Sequence, residues 1–170
     1  MGLLSINEII ENIHIISALT HAHLRSKIAC GLYYFLVKEM IDGSGSLNER
    51  LQSGFDNGFA FYEADAGNSE ELSYYDCMRN IPEFAQLPDS DIQSSGYVVA
   101  SFEAAVWCIA NTSDFRSCVL KAVNLGRDTD TVAAIAGGLA GLYYGYEGIP
   151  EEWKAKIAKC EWIENLCRDM

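Results

Sequence analysis

Apolar residues recur at helical spacing along most of the chain. Ile6, Ile9, Ile10, Ile13 and Ile16 predict a first helix running to about Ala18. Ser5-Ile6-Asn7-Glu8 supplies its start, because the serine oxygen is placed for the Glu8 backbone N–H as in a capping box. Thr20-His21-Ala22-His23 breaks the period. A second helix is expected from about Leu24 to Ile41, with Ile28, Leu32, Phe35 and Leu36 turned inward and a stop at Asp42-Gly43. Ser46-Leu47-Asn48-Glu49 repeats the capping pattern and opens a third helix, whose apolar face is Leu47, Leu51, Phe55, Phe59 and Tyr62.

The stretch from Ala66 to Ser95 lacks that rhythm and holds Pro82 and Pro88. It reads as a long surface loop with a short helical stretch around Glu70 to Met78. From Tyr97 to Ala110 the positions Val98, Val99, Phe102, Ala105, Val106 and Ile109 describe a helix. Asn111 to Asp114 offers caps for the next one, which ends near Leu125-Gly126. Asp128 to Thr131 opens an Ala/Gly-rich helix, Val132 to Tyr146. Pro150 suits the first turn of a last helix carrying Trp153, Ile157 and Leu166. Trp107, Trp153 and Trp162 sit among apolar residues and are read as core. No segment alternates with period two between turn signals, so the expected fold is all-α, one domain over residues 1–170.

Composition narrows the partners. At 170 residues the chain can bury a core without staples, and 49% hydrophobic content excludes disorder as a description of the whole. The net charge of −12 argues against nucleic-acid backbones and anionic membranes, so any anionic ligand needs a metal, a helix N-terminus or a local arginine. Six cysteines form no CxxC pair, and Cys30, Cys108 and Cys118 fall inside apolar helical patterns, the usage of a reduced cytoplasmic protein. Met1 to Glu11 has no basic region and carries Glu8, so no secretory signal is expected. The uncharged run Val132 to Tyr146 is 15 residues long with four glycines, too short to span a bilayer.

The segment Asn124-Leu125-Gly126-Arg127-Asp128-Thr129-Asp130-Thr131 carries the clearest chemistry. Two carboxylates one residue apart, beside a hydroxyl, form an all-oxygen cluster that suits Mg²⁺ or Ca²⁺ better than Zn²⁺. The same residues make good helix caps, and both readings stand on sequence alone. An EF-hand fails, because its fifth, sixth and twelfth positions are Val132, Ala133 and Leu139. Asp128-Thr129-Asp130-Thr131-Val132 also looks like the motif of haloacid-dehalogenase-type phosphohydrolases, which needs a preceding strand. Gly137, Gly141 and Gly145 recur on one helical face, where a neighbouring helix is the expected partner. His14 is read as a satisfied edge residue of the first helix.

Asn124 to Trp153, reading NLGRDTDTVAAIAGGLAGLYYGYEGIPEEW, resembles the C-terminal signature of the ADP-ribosylglycohydrolase family. Ser17-Ala18-Leu19-Thr20-His21-Ala22-His23 looks like its SALTH segment, and Ser95-Gly96-Tyr97-Val98-Val99 followed by Phe102 to Trp107 looks like the helix between them. The resemblance implies an orthogonal multi-helix domain around a binuclear Mg²⁺ centre, with ADP-ribose or an ADP-ribosylated substrate in a cleft above the metals. It also implies hydrolysis of an ADP-ribosyl N- or O-glycosidic bond. Carried residue by residue, it gives Asp128, Asp130 and Thr131 as metal ligands. His21 falls near the ribose, and Gly96, Tyr97, Gly126 and Arg127 line the substrate side. Metal-held oxygens would orient the ribose hydroxyls and lower the pKa of water.

Two departures shape the expectation. The family reads Gly-Gly-Asp where this chain reads Gly126-Arg127-Asp128, so Arg127 either reaches a diphosphate or points to solvent. Family members also carry an N-terminal segment with a Thr-Asp-Asp-Thr run and an upstream Glu, which this sequence does not contain. The resemblance therefore implies an N-terminally truncated fold with half a metal centre, no assignable catalytic residue and impaired activity in this chain alone. The other reading is a non-catalytic member that binds ADP-ribose or a partner chain. Apolar surface left uncovered would favour a homo-oligomer or a complementing N-terminal chain.

Overall fold

The computed structural model describes residues 4–168, so Met1 to Leu3 of the leading segment lie outside the described residues. Ten α-helices follow in order: α1 (Ile6–Ala18), α2 (Leu24–Asp42), α3 (Leu47–Glu63), α4 (Ser69–Leu72), α5 (Ile81–Phe84), α6 (Val98–Ala110), α7 (Phe115–Asn124), α8 (Thr129–Tyr144), α9 (Glu151–Lys154) and α10 (Cys160–Arg168). Among the described residues there is no strand. None of the described helices is long and apolar enough to cross a membrane.

Both expected capping boxes form. Ser5 Oγ accepts from Glu8 N at 3.3 Å while Glu8 Oε2 accepts from Ser5 N at 2.7 Å, and Ser46 and Glu49 repeat the exchange. These bonds to ionised carboxylates hold Glu8 and Glu49 below their usual range. Helix α2 is the spine of the molecule. It packs along α3 on one side and against α1, α6 and α8 elsewhere, and its Ile28, Leu32 and Leu36 are fully buried. Phe102 of α6 joins these layers, with ring centroids of Tyr33, Phe55 and Tyr75 between 6.0 and 6.4 Å away.

The segment expected to be a surface loop is instead fastened to the core. Leu72, Tyr75, Met78, Ile81 and Phe84 are all buried. They recur every third residue, and Ser73–Arg79 is a 3₁₀ helix, in which residues three apart eclipse one another. Arg79 clamps the outside, bridging Glu63 at 2.8 Å and Asp76 at 2.7 Å with its guanidinium over the Phe59 ring.

Other expectations shift with burial. Cys108 and Cys118 are core, but Cys30 is exposed because its side of α2 faces an open cleft. Trp107 is buried and Trp153 half-buried, whereas Trp162 is 62% exposed on α10. Helix α8 stops at Tyr144, two residues short of expectation, because Gly145 caps it with φ +76°. Gly137 and Gly141 do face the neighbouring α7, at ordinary contact distance from Val119 and Phe115. The tight approach is at Gly138, where a Cβ would overlap the Tyr33 hydroxyl.

His14 shares a 2.8 Å hydrogen bond between its Nε2 and the Tyr62 hydroxyl. Burial, with the nearby Lys27 charge adding to it, pushes its pKa below the ordinary 6.5. The unfolded chain takes up that proton more readily than the folded one. The stability His14 contributes is therefore complete above about pH 6.5 and falls as pH drops toward the lower folded value. Thermal midpoints measured down from neutrality should decline across this window, and His14→Gln should flatten that decline. An unchanged slope in the variant would exclude His14 as its source.

Candidate active-site cleft

Three helix starts converge on one opening. His23 caps α2 through Nδ1, which accepts from Arg25 N at 3.2 Å. Tyr97 precedes α6 and Asp128 precedes α8, each in the N-cap position. The loops ahead of α6 and α8 are stitched together. Asp128 N donates to Ser94 O at 3.0 Å, and the buried Ser94 hydroxyl donates to Gly126 O at 2.9 Å. Ser101 donates back to Ser95 O at 2.7 Å, closing the turn around Gly96. Residues from all three helix starts, among them Arg25, Val98 and Thr131, line one shared space, and helix N-termini are where an anion finds local attraction in a protein of charge −12.

That space is a cleft of about 1070 Å³ between α1, α2, α6 and α8. Its polar end carries Thr20, His21, His23, Gly96, Tyr97 and Thr131, and its deeper walls are Tyr33, Val37, Phe102 and Ile135. His21 is not on a helix. Its Nδ1 is held 3.1 Å from the Thr20 hydroxyl in the turn between α1 and α2. The structure thus brings together His21, Gly96, Tyr97 and Thr131, which are spread over 110 positions of sequence.

Gly126 and Arg127 are not part of the lining. They form the left-handed turn between α7 and α8, with φ of +81° and +59°, and the Arg127 side chain is exposed. Asp128 stands at the edge of the cleft beside Gly96, where a Cβ would come within 3.0 Å of the Asp128 carboxylate. Although Asp128 holds the N-cap position, its carboxylate makes no bond to the α8 backbone. It accepts instead from the Thr131 hydroxyl at 2.9 Å. Its oxygens are therefore not consumed by capping, and Asp130 lies exposed one residue beyond Thr129.

These oxygens suit a hard cation in kind: two carboxylates and a hydroxyl within one helical turn, with no competing sulfur or imidazole ligand required. Among the described residues no cluster of three or more His, Cys, Asp or Glu side chains adds to them. The Asp-Thr-Asp-Thr run follows helix α7 and a turn rather than a strand, so the phosphohydrolase reading loses its structural premise.

Sequence inspection missed Arg25. Its Nε donates to Glu71 at 2.6 Å, its Nη1 donates to the Tyr97 hydroxyl at 2.6 Å, and its guanidinium lies 3.5 Å from the Tyr74 ring centroid. Ser94 was missed as well, since a buried serine in a loop carries no periodic mark.

Gly96→Ala is expected to push the Asp128 carboxylate aside and weaken the proposed Mg²⁺ binding several-fold, about 1 kcal/mol, while moving the thermal midpoint by no more than about 2 °C. Metal titration and calorimetric melting of the same sample separate the two. A large loss of stability with unchanged metal affinity would contradict the placement.

An ADP-ribosylglycohydrolase family model matches residues 1–170, and the chain belongs to this family. It is 32% identical over 154 residues to the ADP-ribosylarginine hydrolase Tri1 of Serratia proteamaculans, covering 91% of this chain and 38% of that protein. It is 42% identical over 65 residues to the ADP-ribosyl-[dinitrogen reductase] glycohydrolase of Rhodospirillum rubrum, covering 38% of this chain and 22% of that one. A solved structure described as an ADP-ribosylglycohydrolase-related protein complex superposes with a TM-score of 0.69 at 27% identity. That match covers 94% of this chain and 51% of the solved one. The chain thus spans about two-fifths of the Serratia relative and half of the solved chain.

Proposed function

We propose that the cleft binds the ADP-ribosyl group of an ADP-ribosylated substrate, and that the activity it serves is magnesium-dependent hydrolysis of an ADP-ribosyl N- or O-glycosidic bond. The observation that carries this reading is the convergence of His21, Gly96, Tyr97 and Thr131 on one cleft at three helix starts. The helix ends attract the diphosphate, and the aromatic and aliphatic walls suit the flat apolar faces of a nucleoside. His21, held by Thr20, would hydrogen-bond a ribose hydroxyl.

Asp128, Asp130 and Thr131 would hold Mg²⁺, and Arg127 and Gly126 would border its outer side. When bound, the cation would supply a Lewis acid and lower the pKa of water. Three side-chain oxygens leave most of its shell to water, so the chain by itself is expected to bind the metal loosely and to hydrolyse slowly or not at all. Buried thiols at Cys108 and Cys118 support a reducing, cytoplasmic setting.

Calorimetry of ADP-ribose with Mg²⁺ and with EDTA tests the reading. Binding that weakens on chelation is expected. No binding under either condition would refute it.

A specific surface favours a second element, a partner. Of the α1 isoleucines only Ile10 is buried, while Ile16 and the following Leu19 are 67% and 80% exposed. With Leu4 and Ile15 they form an uncovered apolar strip at α1. We propose that this strip is covered by a second copy of the chain. Sedimentation should give a dimer for the isolated chain, reduced to monomer by Ile16→Glu with Leu19→Glu. A monomeric parent would refute the second copy.

A further inference from the structure

We infer that Arg25 is a positioning residue that holds Tyr97 across the mouth of the cleft. This inference rests on the reading of the cleft as an ADP-ribose site. Arg25 belongs to the first turn of α2 and Tyr97 to the turn before α6, so their 2.6 Å hydrogen bond ties one wall of the opening to the other. Tyr97 is 45% exposed. Its hydroxyl is anchored by a guanidinium that is itself immobilised from three sides. Glu71 takes Nε in a charge-assisted bond at 2.6 Å, and the Tyr74 ring lies 3.5 Å away across the guanidinium plane. The fully buried Tyr75 donates its hydroxyl to Arg25 O at 2.9 Å, fixing the backbone as well.

The arrangement has a chemical consequence. The Arg25 charge is taken up by Glu71, so this arginine serves the ligand through the Tyr97 ring rather than as a phosphate partner. The planar fork is required: one nitrogen engages a carboxylate while another reaches a phenol, a geometry that a lysine ammonium does not offer. Tyr97 thereby presents a fixed face to the cleft before any ligand arrives, which lowers the ordering cost of binding.

The test is a double-mutant cycle on the full chain with two readouts. Arg25→Met keeps the aliphatic stem and Tyr97→Phe keeps the ring. Each is expected to weaken ADP-ribose binding in Mg²⁺ about tenfold, and the double variant no more than the worse single one. Amide hydrogen exchange without ligand supplies the second readout. Both single variants should accelerate exchange across residues 95–98 to the same extent, and the double variant no further, with α3 and α7 unaffected. Independent, additive effects on exchange would overturn the inference, as would a Tyr97→Phe variant with parental exchange. If the parent binds no ADP-ribose, the substrate reading fails, while the exchange cycle still decides whether Arg25 holds Tyr97.

Discussion

Replacing Asp128 and Asp130 together by alanine is expected to abolish the magnesium-dependent part of ADP-ribose binding. The two carboxylates are the only charged oxygens within the opening turn of α8, and Thr131 alone cannot hold a divalent cation against its water shell. Loss of outer partners of metal ligands typically costs 10–100-fold in affinity. Removing both proposed ligands themselves should cost at least about 100-fold. The fold should survive, because the Asp128 carboxylate makes no bond to the helix backbone and Asp130 is exposed. Calorimetry in Mg²⁺ and a melting curve on the same preparation check both halves. Parental affinity in the double variant would reduce the pair to surface charges.

The largest loss of stability is expected at Phe102. Its ring is 3% exposed and sits among Tyr33, Phe55 and Tyr75, joining α2, α3, α6 and the 3₁₀ segment Ser73–Arg79. Phe102→Ala removes the transfer free energy of a phenyl group and leaves a cavity that rigid aromatic neighbours cannot close, about 4 kcal/mol in all. For a chain of this size that corresponds to a fall of roughly 10 °C in thermal midpoint. Because Phe102 also lines the cleft, residual binding should weaken along with stability. A fall of less than about 2 °C would mean that the aromatic layer repacks, and would contradict its role as the joint between elements.

Helices α1 and α3 were legible because they are long, amphipathic and explicitly capped. The isoleucine spacing of α1 and the Ser–Glu boxes at Ser5 and Ser46 fix both position and start. The same spacing carries no information on burial. Periodicity says that Ile6, Ile13 and Ile16 share a face, not that the face has a partner, and α1 leaves Ile16 in solvent. The stretch from Ala66 to Ser95 was misread for a physical reason. Its helices are three to seven residues long, too short for a 3.6-residue period, and its apolar positions follow the three-residue period of a 3₁₀ turn. That rhythm, Leu72 to Phe84 in steps of three, was visible in the sequence.

Of the candidate site, the motifs carried the identities and the fold supplied the proximity. Nothing in the local sequence around His21, Gly96 or Thr131 says that they share a cleft; the resemblance grouped them, and the packing of α2, α6 and α8 seats them there. Nor could the sequence distinguish a capping aspartate from a free one at Asp128. That distinction depends on whether its carboxylate turns to the backbone or to Thr131, and it turns to Thr131. The net charge of −12 remains an obstacle to anion binding at long range, and the three converging helix starts are the local counterweight.

The central claim is that these dispersed residues form one ADP-ribose site, and amide NMR tests it most directly. Titrating ADP-ribose in Mg²⁺ into the ¹⁵N-labelled chain should shift the amides of His21, Gly96, Tyr97 and Thr131 together, along a single binding curve, with those of α3 unmoved. Shifts confined to other surfaces, or separate curves for the three helix starts, would contradict it.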